Sequence, residues 1–292
     1  MSRAQVDRIG FMPLKSGGEM VVQDAIIGPG GLMLEVGDEM LADREFVIGE
    51  EKRGKIARVT QREDPGMALI QPMRNEARGS LFLAMEGVGT VEIDMETEPS
   101  GELVTLGWSG QKREGREVSQ EASDWASEAI GRPVKLYRSP MLGSLIKDRK
   151  VDVRNNNTHF ADVWQFLLTN QGTHESLNEA LRASGQTLVG IDRFRPNIHV
   201  KGWEAFREHS LSRIQIGSSV QMDVLRPSTR CKMPSVDPRT GEFDRNPAAF
   251  LRFMKDWHVL NLPVHGENAR WTHGLGQMIS VGDPVQILEE RS

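Results

Sequence analysis

Short runs of hydrophobic residues, separated by glycine, proline and aspartate, make up the first 110 positions of the chain. Runs of this length, bounded by turn sequences such as GPGG at residues 28–31 and PSG at 99–101, are typical of the strands of a β-barrel or a β-sandwich. We therefore predict strands at residues 9–14, 21–27, 32–36, 46–48, 67–70, 81–85, 91–95 and 103–108.

Three later segments place their apolar residues on one face of a helix. They cover residues 119–130, 173–184 and 246–257, and Thr173 and Asn246 are candidate N-caps of the second and third helix. Further strands are predicted at residues 214–216, 220–225 and 285–288. We expect the apolar stripes of these helices to pack in a core. Since predicted strands outnumber predicted helices, the whole pattern indicates a mixed α+β fold that is mostly β.

The stretch SGQKREGREVS at residues 109–119 is rich in glycine and charge and has no apolar face. Such a composition is typical of a linker or a long exposed loop. A chain of 292 residues is also long enough for two domains. We therefore predict a first domain at residues 1–112 and a second at residues 118–292.

Composition narrows the class of protein further. Hydrophobic residues make up 38% and charged residues 26% of the chain, as in ordinary folded proteins. The net charge of -5 argues against a nucleic-acid polymer or an anionic membrane surface as the partner, and no run approaches the ~18 apolar residues of a membrane helix. Because the single cysteine excludes an internal disulfide and the N-terminus lacks a signal-peptide pattern, we predict a cytoplasmic protein. We also predict a monomer, although the sequence does not determine the oligomeric state.

The only cysteine, Cys231, is the first candidate for chemistry. A lone cysteine is usually a small, buried hydrophobic side chain. Here Arg230 and Lys232 flank it, and positive neighbours favour the thiolate, which binds soft or high-valent metals. Because one thiolate cannot hold a metal tightly, we expect any metal at Cys231 to arrive in a preassembled cofactor.

Several short motifs follow one another along the chain. They are MPLKS at residues 12–16, DREF at 43–46, TQREDP at 60–65, FAD at 160–162, RFRPN at 193–197, RC at 230–231 with VDPRTG at 236–241, and VGDPV at 281–285. In this order they resemble the motifs of the MOSC family, which includes the mitochondrial amidoxime-reducing components and bacterial enzymes that detoxify N-hydroxylated bases. The resemblance implies an N-terminal β-barrel domain followed by a β-barrel MOSC domain with a few helices.

The resemblance also implies a site. Cys231 would bind the molybdenum of a molybdenum–pterin cofactor directly, and Asp162 would lie near the metal, where it orients substrate or relays protons. The pterin and its phosphate would be bound by Lys15, Ser16, Arg44, Arg195, Asn197, Thr229 and Arg230. Such a cofactor is an anion rich in hydrogen-bond acceptors, which suits arginine, lysine, hydroxyl and amide donors.

Other positions are interpreted without a catalytic role or depart from the family pattern. Residues 237–241 suit a structural β-turn, because aspartate and glycine stand where such turns prefer them. His258, His265 and His273 lack the spacing of a metal site and are treated as background. Trp164 stands where the family has small or polar residues, so it either narrows the pocket or offers a stacking surface.

Three hypotheses of function follow. The first is a molybdenum-dependent oxidoreductase that reduces N-hydroxylated small molecules, such as hydroxylaminopurines, amidoximes or hydroxylamines, with electrons from a separate flavin or iron–sulfur partner. The alternative is a non-catalytic carrier of molybdenum cofactor or of sulfur, which would hold sulfur as a persulfide on Cys231. The third is a degenerate structural homologue, which predicts that Cys231 is buried and that Trp164 fills the pocket.

Overall fold

The computed structural model describes residues 4–99, 101–107, 113–140, 158–162 and 164–291. Within these ranges the chain forms 22 strands and three α-helices, α1 (Gln120–Ile130), α2 (Gln171–Ala183) and α3 (Pro247–Trp257). This confirms the predicted mixed α+β fold that is mostly β. None of the helices in the described ranges combines the length and the apolar character needed to cross a membrane.

The strands fall into two sets along the chain. Before residue 140 they are β1 (Gln5–Phe11), β2 (Met20–Val22), β3 (Asp24–Gly28), β4 (Gly31–Val36), β5 (Glu39–Ala42), β6 (Phe46–Lys52), β7 (Lys55–Arg58), β8 (Gln71–Asn75), β9 (Ser80–Met85), β10 (Gly89–Asp94), β11 (Leu103–Gly107), β12 (Arg113–Glu117) and β13 (Lys135–Arg138). After residue 158 they are β14 (Phe166–Asn170), β15 (Ile198–Lys201), β16 (Leu211–Ile216), β17 (Val220–Thr229), β18 (Val236–Asp237), β19 (Glu242–Phe243), β20 (Val264–His273), β21 (Met278–Ser280) and β22 (Val285–Glu290).

Five strands of the first set close a barrel in the order β11-β12-β13-β6-β7, and β11 and β7 pair in parallel to complete it. β12 occupies part of the stretch that was predicted as an exposed linker, so that prediction is wrong for Arg113–Glu117. In β12 the buried residue is Gly115, and its neighbours are charged and at least partly exposed. A strand whose one buried residue is a glycine shows no hydrophobic pattern in the sequence. Residues 109–112 lie outside the described ranges.

The largest sheet joins the two ends of the chain. It has eight strands in the order β2-β1-β15-β14-β20-β17-β16-β22. β1 pairs antiparallel with β15, with Ile9 opposite Ile198, and β14 pairs in parallel with β15. A second sheet, β21-β3-β4-β5, also combines strands from both sets. Strands β1 to β5, within residues 5–42, therefore belong to sheets that also contain strands after residue 158.

One continuous buried cluster runs through these sheets. It includes Phe46 of the barrel, Trp125 of α1, and Ile9, Phe166 and Ile214 of the eight-stranded sheet. Burial of side chains of this size stabilises a fold by roughly 1.5–3 kcal/mol each. The barrel and the large sheet thus share a core.

The three helices begin where capping residues stand. Ser119 Oγ accepts from Ala122 N at α1, and Asn246 caps α3 ahead of Pro247, as predicted. At α2 the cap is Asn170, three residues before the predicted Thr173. Thr173 is instead fully buried, and its hydroxyl donates to Glu208 at 2.8 Å.

Two further predictions concern turns. The segment 67–70 was predicted as a strand, but Pro65–Leu69 form a 3-10 helix. Pro65 explains this, since proline lacks the N–H of a sheet ladder and suits the first position of a helix. The turn at 237–241 is confirmed: Gly241 N donates to Asp237 O at 2.8 Å, and it joins the short pair β18-β19.

Candidate active site

A single pocket of about 560 Å³ brings together every residue that the sequence singled out for the site. These residues come from five separate parts of the chain. They are Lys15, Ser16, Arg44, Asp162, Arg195, Asn197, Thr229, Arg230 and Cys231. Their roles stay predictions, but their convergence from turns around the large sheet is a property of the fold.

The backbone at three of these residues is held in a conformation that non-glycine residues rarely adopt. Ser16, Arg44 and Arg195 have φ angles of 64°, 55° and 56°. They are half of the six non-glycine residues with positive φ in the described ranges. Such a conformation costs about 1–3 kcal/mol and clusters at functional sites. The turns that direct these three side chains into the pocket therefore lower the free energy of unfolding.

Buried arginines line the inner part of the pocket. Arg44 donates to Asp43 and to Asn197 Oδ1, the latter at 3.5 Å. Arg195 donates to the carbonyl oxygen of Gly17, and Arg230 donates to the carbonyl oxygen of Phe194 at 2.8 Å. Neither Arg195 nor Arg230 has a carboxylate within 4 Å among the described residues.

Three polar atoms in this inner part of the pocket have no hydrogen-bond partner within the described ranges. Ser16 Oγ, Arg195 Nη2 and Arg230 Nε are buried, and no described residue bonds to them. Burial, and then repulsion from Arg44, lower the pKa of Arg195 to about 10. Burial also lowers the pKa of Arg230 to about 10, with Arg44 adding to the effect and Cys231 opposing it. Because buried donors cost free energy unless they are satisfied, this region suits an anion with several acceptors.

Charge in the pocket is strongly one-sided. Seven cationic side chains line it, against one carboxylate among the described residues, and the cations are Lys15, Arg44, Arg58, Arg62, Arg195, Arg226 and Arg230. Arg58, Arg62 and Arg226 were not predicted. Arg62 stands inside the TQREDP motif, which was recognised without being assigned to the site. Arg58 and Arg226 carry no motif signal.

Asp162 is the carboxylate at the centre of these cations. Its oxygens lie 2.9 Å from Lys15 Nζ, 3.6 Å from Arg62 Nη2 and 3.9 Å from Arg58 Nη2. Burial alone would raise the pKa of Asp162, but Lys15 and the two arginines outweigh it and lower the pKa to about 2. Asp162 is therefore ionised near neutral pH and can accept a hydrogen bond, but it holds no proton to donate.

Cys231 is half-buried at the edge of the same pocket. Arg62 Nε donates to its Sγ at 3.3 Å. The neighbouring Lys232 instead places its ammonium group over the ring of Phe243, 4.8 Å from the centroid. The cation that contacts the sulfur is thus Arg62 rather than Lys232, whose ammonium group lies against Phe243.

The half-buried position of Cys231 contradicts the hypothesis of a degenerate homologue with a buried cysteine. Trp164 lines the pocket beside an open volume rather than filling it. The guanidinium of Arg226 lies over the Trp164 ring, 5.5 Å from its centroid. The histidines treated as background are absent from the pocket lining, although His265 stacks on Phe194 behind it with ring centroids 3.8 Å apart.

Lys15 gives the pocket a testable pH dependence. Burial lowers its pKa to about 8, with Asp162 opposing and Arg44 adding to that shift. A bound anion favours the protonated amine, so binding takes up a proton once the pH exceeds about 8. We expect sulfate binding to the cofactor-free protein to weaken several-fold, up to about 10-fold, between pH 7 and 9, as measured by calorimetry at constant ionic strength.

Sulfate does not titrate in this range, so the change reports on the protein. In a Lys15→Arg variant, the charge persists to higher pH and sulfate affinity should stay level between pH 7 and 9. Equal pH dependence in the wild type and this variant would show that Lys15 is not responsible.

Comparison with known proteins supports the motif assignments. A model of the MOSC N-terminal beta barrel domain matches residues 3–133, and a model of the MOSC domain matches residues 155–286. Lys15, Ser16 and Arg44 lie in the first match, whereas Asp162, Arg195 and Cys231 lie in the second. The pocket is therefore lined by residues from both matched regions.

Curated relatives are distant in sequence. Molybdenum cofactor sulfurase of Danio rerio is 27% identical over 265 residues, which are 86% of this chain and 30% of the relative. Mitochondrial amidoxime-reducing component 1 of Mus musculus is 24% identical over 261 residues, which are 85% of this chain and 73% of the relative. The chain thus spans less than a third of the length of that sulfurase.

Among solved structures, the YUAD protein from Bacillus subtilis aligns with 97% of this chain and 94% of its own, at a TM-score of 0.40 and 10% identity. The domain models carry the assignment, because they match in the same order as the motifs and together cover most of the chain. This chain, with an N-terminal MOSC β-barrel domain followed by a MOSC domain, belongs to the MOSC family.

Proposed function

We propose that this chain is a molybdenum-cofactor-dependent reductase of N-hydroxylated compounds. The observation that carries the proposal is the placement of Cys231 in a pocket lined by seven cations, with unsatisfied buried donors at Ser16, Arg195 and Arg230. The likeness to the amidoxime-reducing component of Mus musculus supports the reaction class.

The residues present fit a phosphorylated pterin cofactor. Arg195 and Arg230 have no carboxylate partner among the described residues, and the Ser16 hydroxyl, Arg195 and Arg230 each retain a donor without an acceptor. An anion rich in acceptors satisfies both needs at once. We assign binding of the pterin and its phosphate to Lys15, Ser16, Arg44, Arg195, Asn197, Thr229 and Arg230, and binding of the metal to Cys231.

The bound cofactor supplies a metal that changes oxidation state by two electrons. In the proposed reaction an N–OH group takes up two electrons and two protons, the N–O bond breaks, and the products are an N–H group and water. A separate flavin or iron–sulfur protein supplies the electrons.

The chain's own residues bind and orient the reactants. Arg62 fixes the Cys231 sulfur through its hydrogen bond at 3.3 Å. Asp162, ionised and half-exposed, can accept a hydrogen bond from the N–OH group and orient it. Because Asp162 carries no proton near neutral pH, the protons come from solvent, which the open pocket admits.

Metal analysis tests this proposal. Protein expressed in a host that makes the cofactor should contain about one molybdenum per chain, and it should reduce benzamidoxime to benzamidine with a reduced viologen dye as the electron source. A matched preparation from a host that cannot make the cofactor should contain no molybdenum and show no reduction. Molybdenum-free protein from the first host would refute the proposal.

A carrier function is the second candidate, favoured by the likeness to molybdenum cofactor sulfurases. A carrier would hold sulfur on Cys231, which is half-buried and therefore reachable from the pocket. Intact-protein mass spectrometry separates the two functions. A mass increase of one sulfur atom that disappears in Cys231→Ala, together with no reduction of benzamidoxime, would favour the carrier.

A further inference from the structure

Trp164 and Arg226 stand apart from the residues assigned to the cofactor. Both line the pocket, and the Arg226 guanidinium lies 5.5 Å from the centroid of the Trp164 ring. A cation over an indole face is attracted to it by about 0.5–1 kcal/mol at an exposed site. The pair therefore holds the long arginine side chain in a defined position.

The side chains of both residues lack a hydrogen-bond or ion-pair partner among the described residues. Trp164 Nε1 is buried, and no described residue accepts its hydrogen bond. Arg226 forms no ion pair with any carboxylate of the described ranges, unlike the pocket residues Lys15 and Arg62, which pair with Asp162. A guanidinium binds the oxygens of a carboxylate or a phosphate through charge-assisted hydrogen bonds, and an indole N–H can donate one more.

The position of the pair relative to Cys231 suits a substrate rather than the metal itself. Arg226 and Cys231 are five residues apart along β17 and its extension, so at about 3.3 Å per residue their Cα atoms are at most about 17 Å apart. Trp164 is two residues from Asp162, the carboxylate that contacts Arg62. A small molecule can thus reach from Asp162 to the pair within one pocket.

We propose that Trp164 and Arg226 form an anion-recognition pair that selects N-hydroxylated substrates carrying a carboxylate or a phosphate group. The pair binds the anionic group, while the N–OH group lies toward Asp162 and Cys231. This inference rests on the proposed reductase function for its chemistry, which is the same two-electron, two-proton cleavage of the N–O bond with electrons from the external donor.

Two matched pairs of substrates test the proposal. The first is benzamidoxime and its para-carboxylate, and the second is a hydroxylaminopurine ribonucleoside and its monophosphate, so that carboxylate and phosphate are distinguished. With wild-type holoprotein we expect a KM for one anionic member about 10-fold below that of its neutral partner, since a charge-assisted hydrogen bond commonly contributes that much. The pair with the larger ratio identifies the anion.

Variants then assign the effect to the pair. Arg226→Gln should reduce the ratio of neutral to anionic KM by about 10-fold, and Arg226→Lys should restore part of it. Trp164→Phe keeps a ring and removes the donor, so it should reduce the ratio by a smaller factor. Arg252→Gln, a charge removal on the exposed face of α3, should leave the ratio at its wild-type value.

Several results would overturn the proposal. An unchanged ratio in Arg226→Gln would do so, and so would loss of molybdenum from that variant, which would assign Arg226 to the cofactor phosphate. If wild-type protein reduces none of the four substrates, the proposed function fails separately. Equilibrium dialysis of adenosine with its monophosphate, and of benzamide with benzoate, then still tests the pair. One of the two anions should bind more weakly to Arg226→Gln than to the wild type, and equal binding of both anions to the two proteins refutes the proposal.

Discussion

Replacing Cys231 by alanine is expected to reduce the rate of benzamidoxime reduction at least about 100-fold while leaving the fold intact. Loss of residues that merely orient metal ligands commonly costs 10–100-fold, and the thiolate itself is the proposed ligand. The side chain is half-buried, and among the described residues it accepts a hydrogen bond from Arg62 alone. We therefore expect the Tm of the cofactor-free variant to change by no more than about 2 °C.

The measurement is molybdenum content and turnover on the same preparation, with circular dichroism to follow the fold. Cys231→Ser is the matched comparison, because it retains nearly the same volume but exchanges a soft ligand for a hard one. A Cys231→Ala protein with wild-type molybdenum content and turnover would contradict the proposed ligand.

Removal of the Arg193 side chain should give the largest loss of stability among the site-forming segments. Arg193 is 5% exposed in its side chain and bonds to Asp244 at 2.7 Å and Asp237 at 3.1 Å. These aspartates lie in the segment that follows Cys231, so Arg193 ties that segment to the start of β15. Breaking such a buried pair costs about 3 kcal/mol, and we expect Arg193→Ala to lower the Tm by roughly 5–10 °C.

Arg239→Ala is the matched control for this prediction. Arg239 also faces Asp237, at 3.8 Å, but its side chain is 82% exposed. Exposed pairs contribute about 0–1 kcal/mol, so the Tm should barely change. The Tm of both variants is measured by thermal denaturation under the same conditions. Equal Tm values would show that the pairs of Arg193 do not stabilise the fold.

The nine residues assigned to the site could be predicted because nearly all of them lie in local motifs. Lys15 and Ser16 follow β1, Arg195 and Asn197 precede β15, and Cys231 follows β17, so each of these motifs lies next to one end of a strand. Sequence order alone gives no distance between them. The convergence arises from pairing of β1 with β15 and of β17 with β20, which only the fold reveals.

The residues that were missed lack a local signal. Arg226 lies within β17 among alternating residues, and its partner Trp164 comes from another part of the chain. Arg62 lies in a recognised motif, but its contact with Cys231 spans 169 positions. Long-range contacts of this kind do not leave a periodic pattern in one sequence.

Errors in secondary structure had local physical causes. The segment 67–70 is apolar enough for a strand, but Pro65 favours a helical turn at its start. β12 was missed because its exposed residues are charged and its buried residue is Gly115. At α2, Asn170 and Thr173 are both suitable caps, and burial of Thr173 against Glu208 decided between them. The predicted domain limits, the cytoplasmic location and the monomeric state remain predictions.

The entry of β1 into a sheet built largely from strands after residue 158 affects how this protein can evolve. Lys15, Ser16 and Arg44 come from one matched domain, and Cys231 comes from the other. A recombination event that transferred the second region alone would leave β15 with β14 but without β1, and the pocket without four of its seven cations. Neither region alone can therefore form the complete pocket, although each has its own family model.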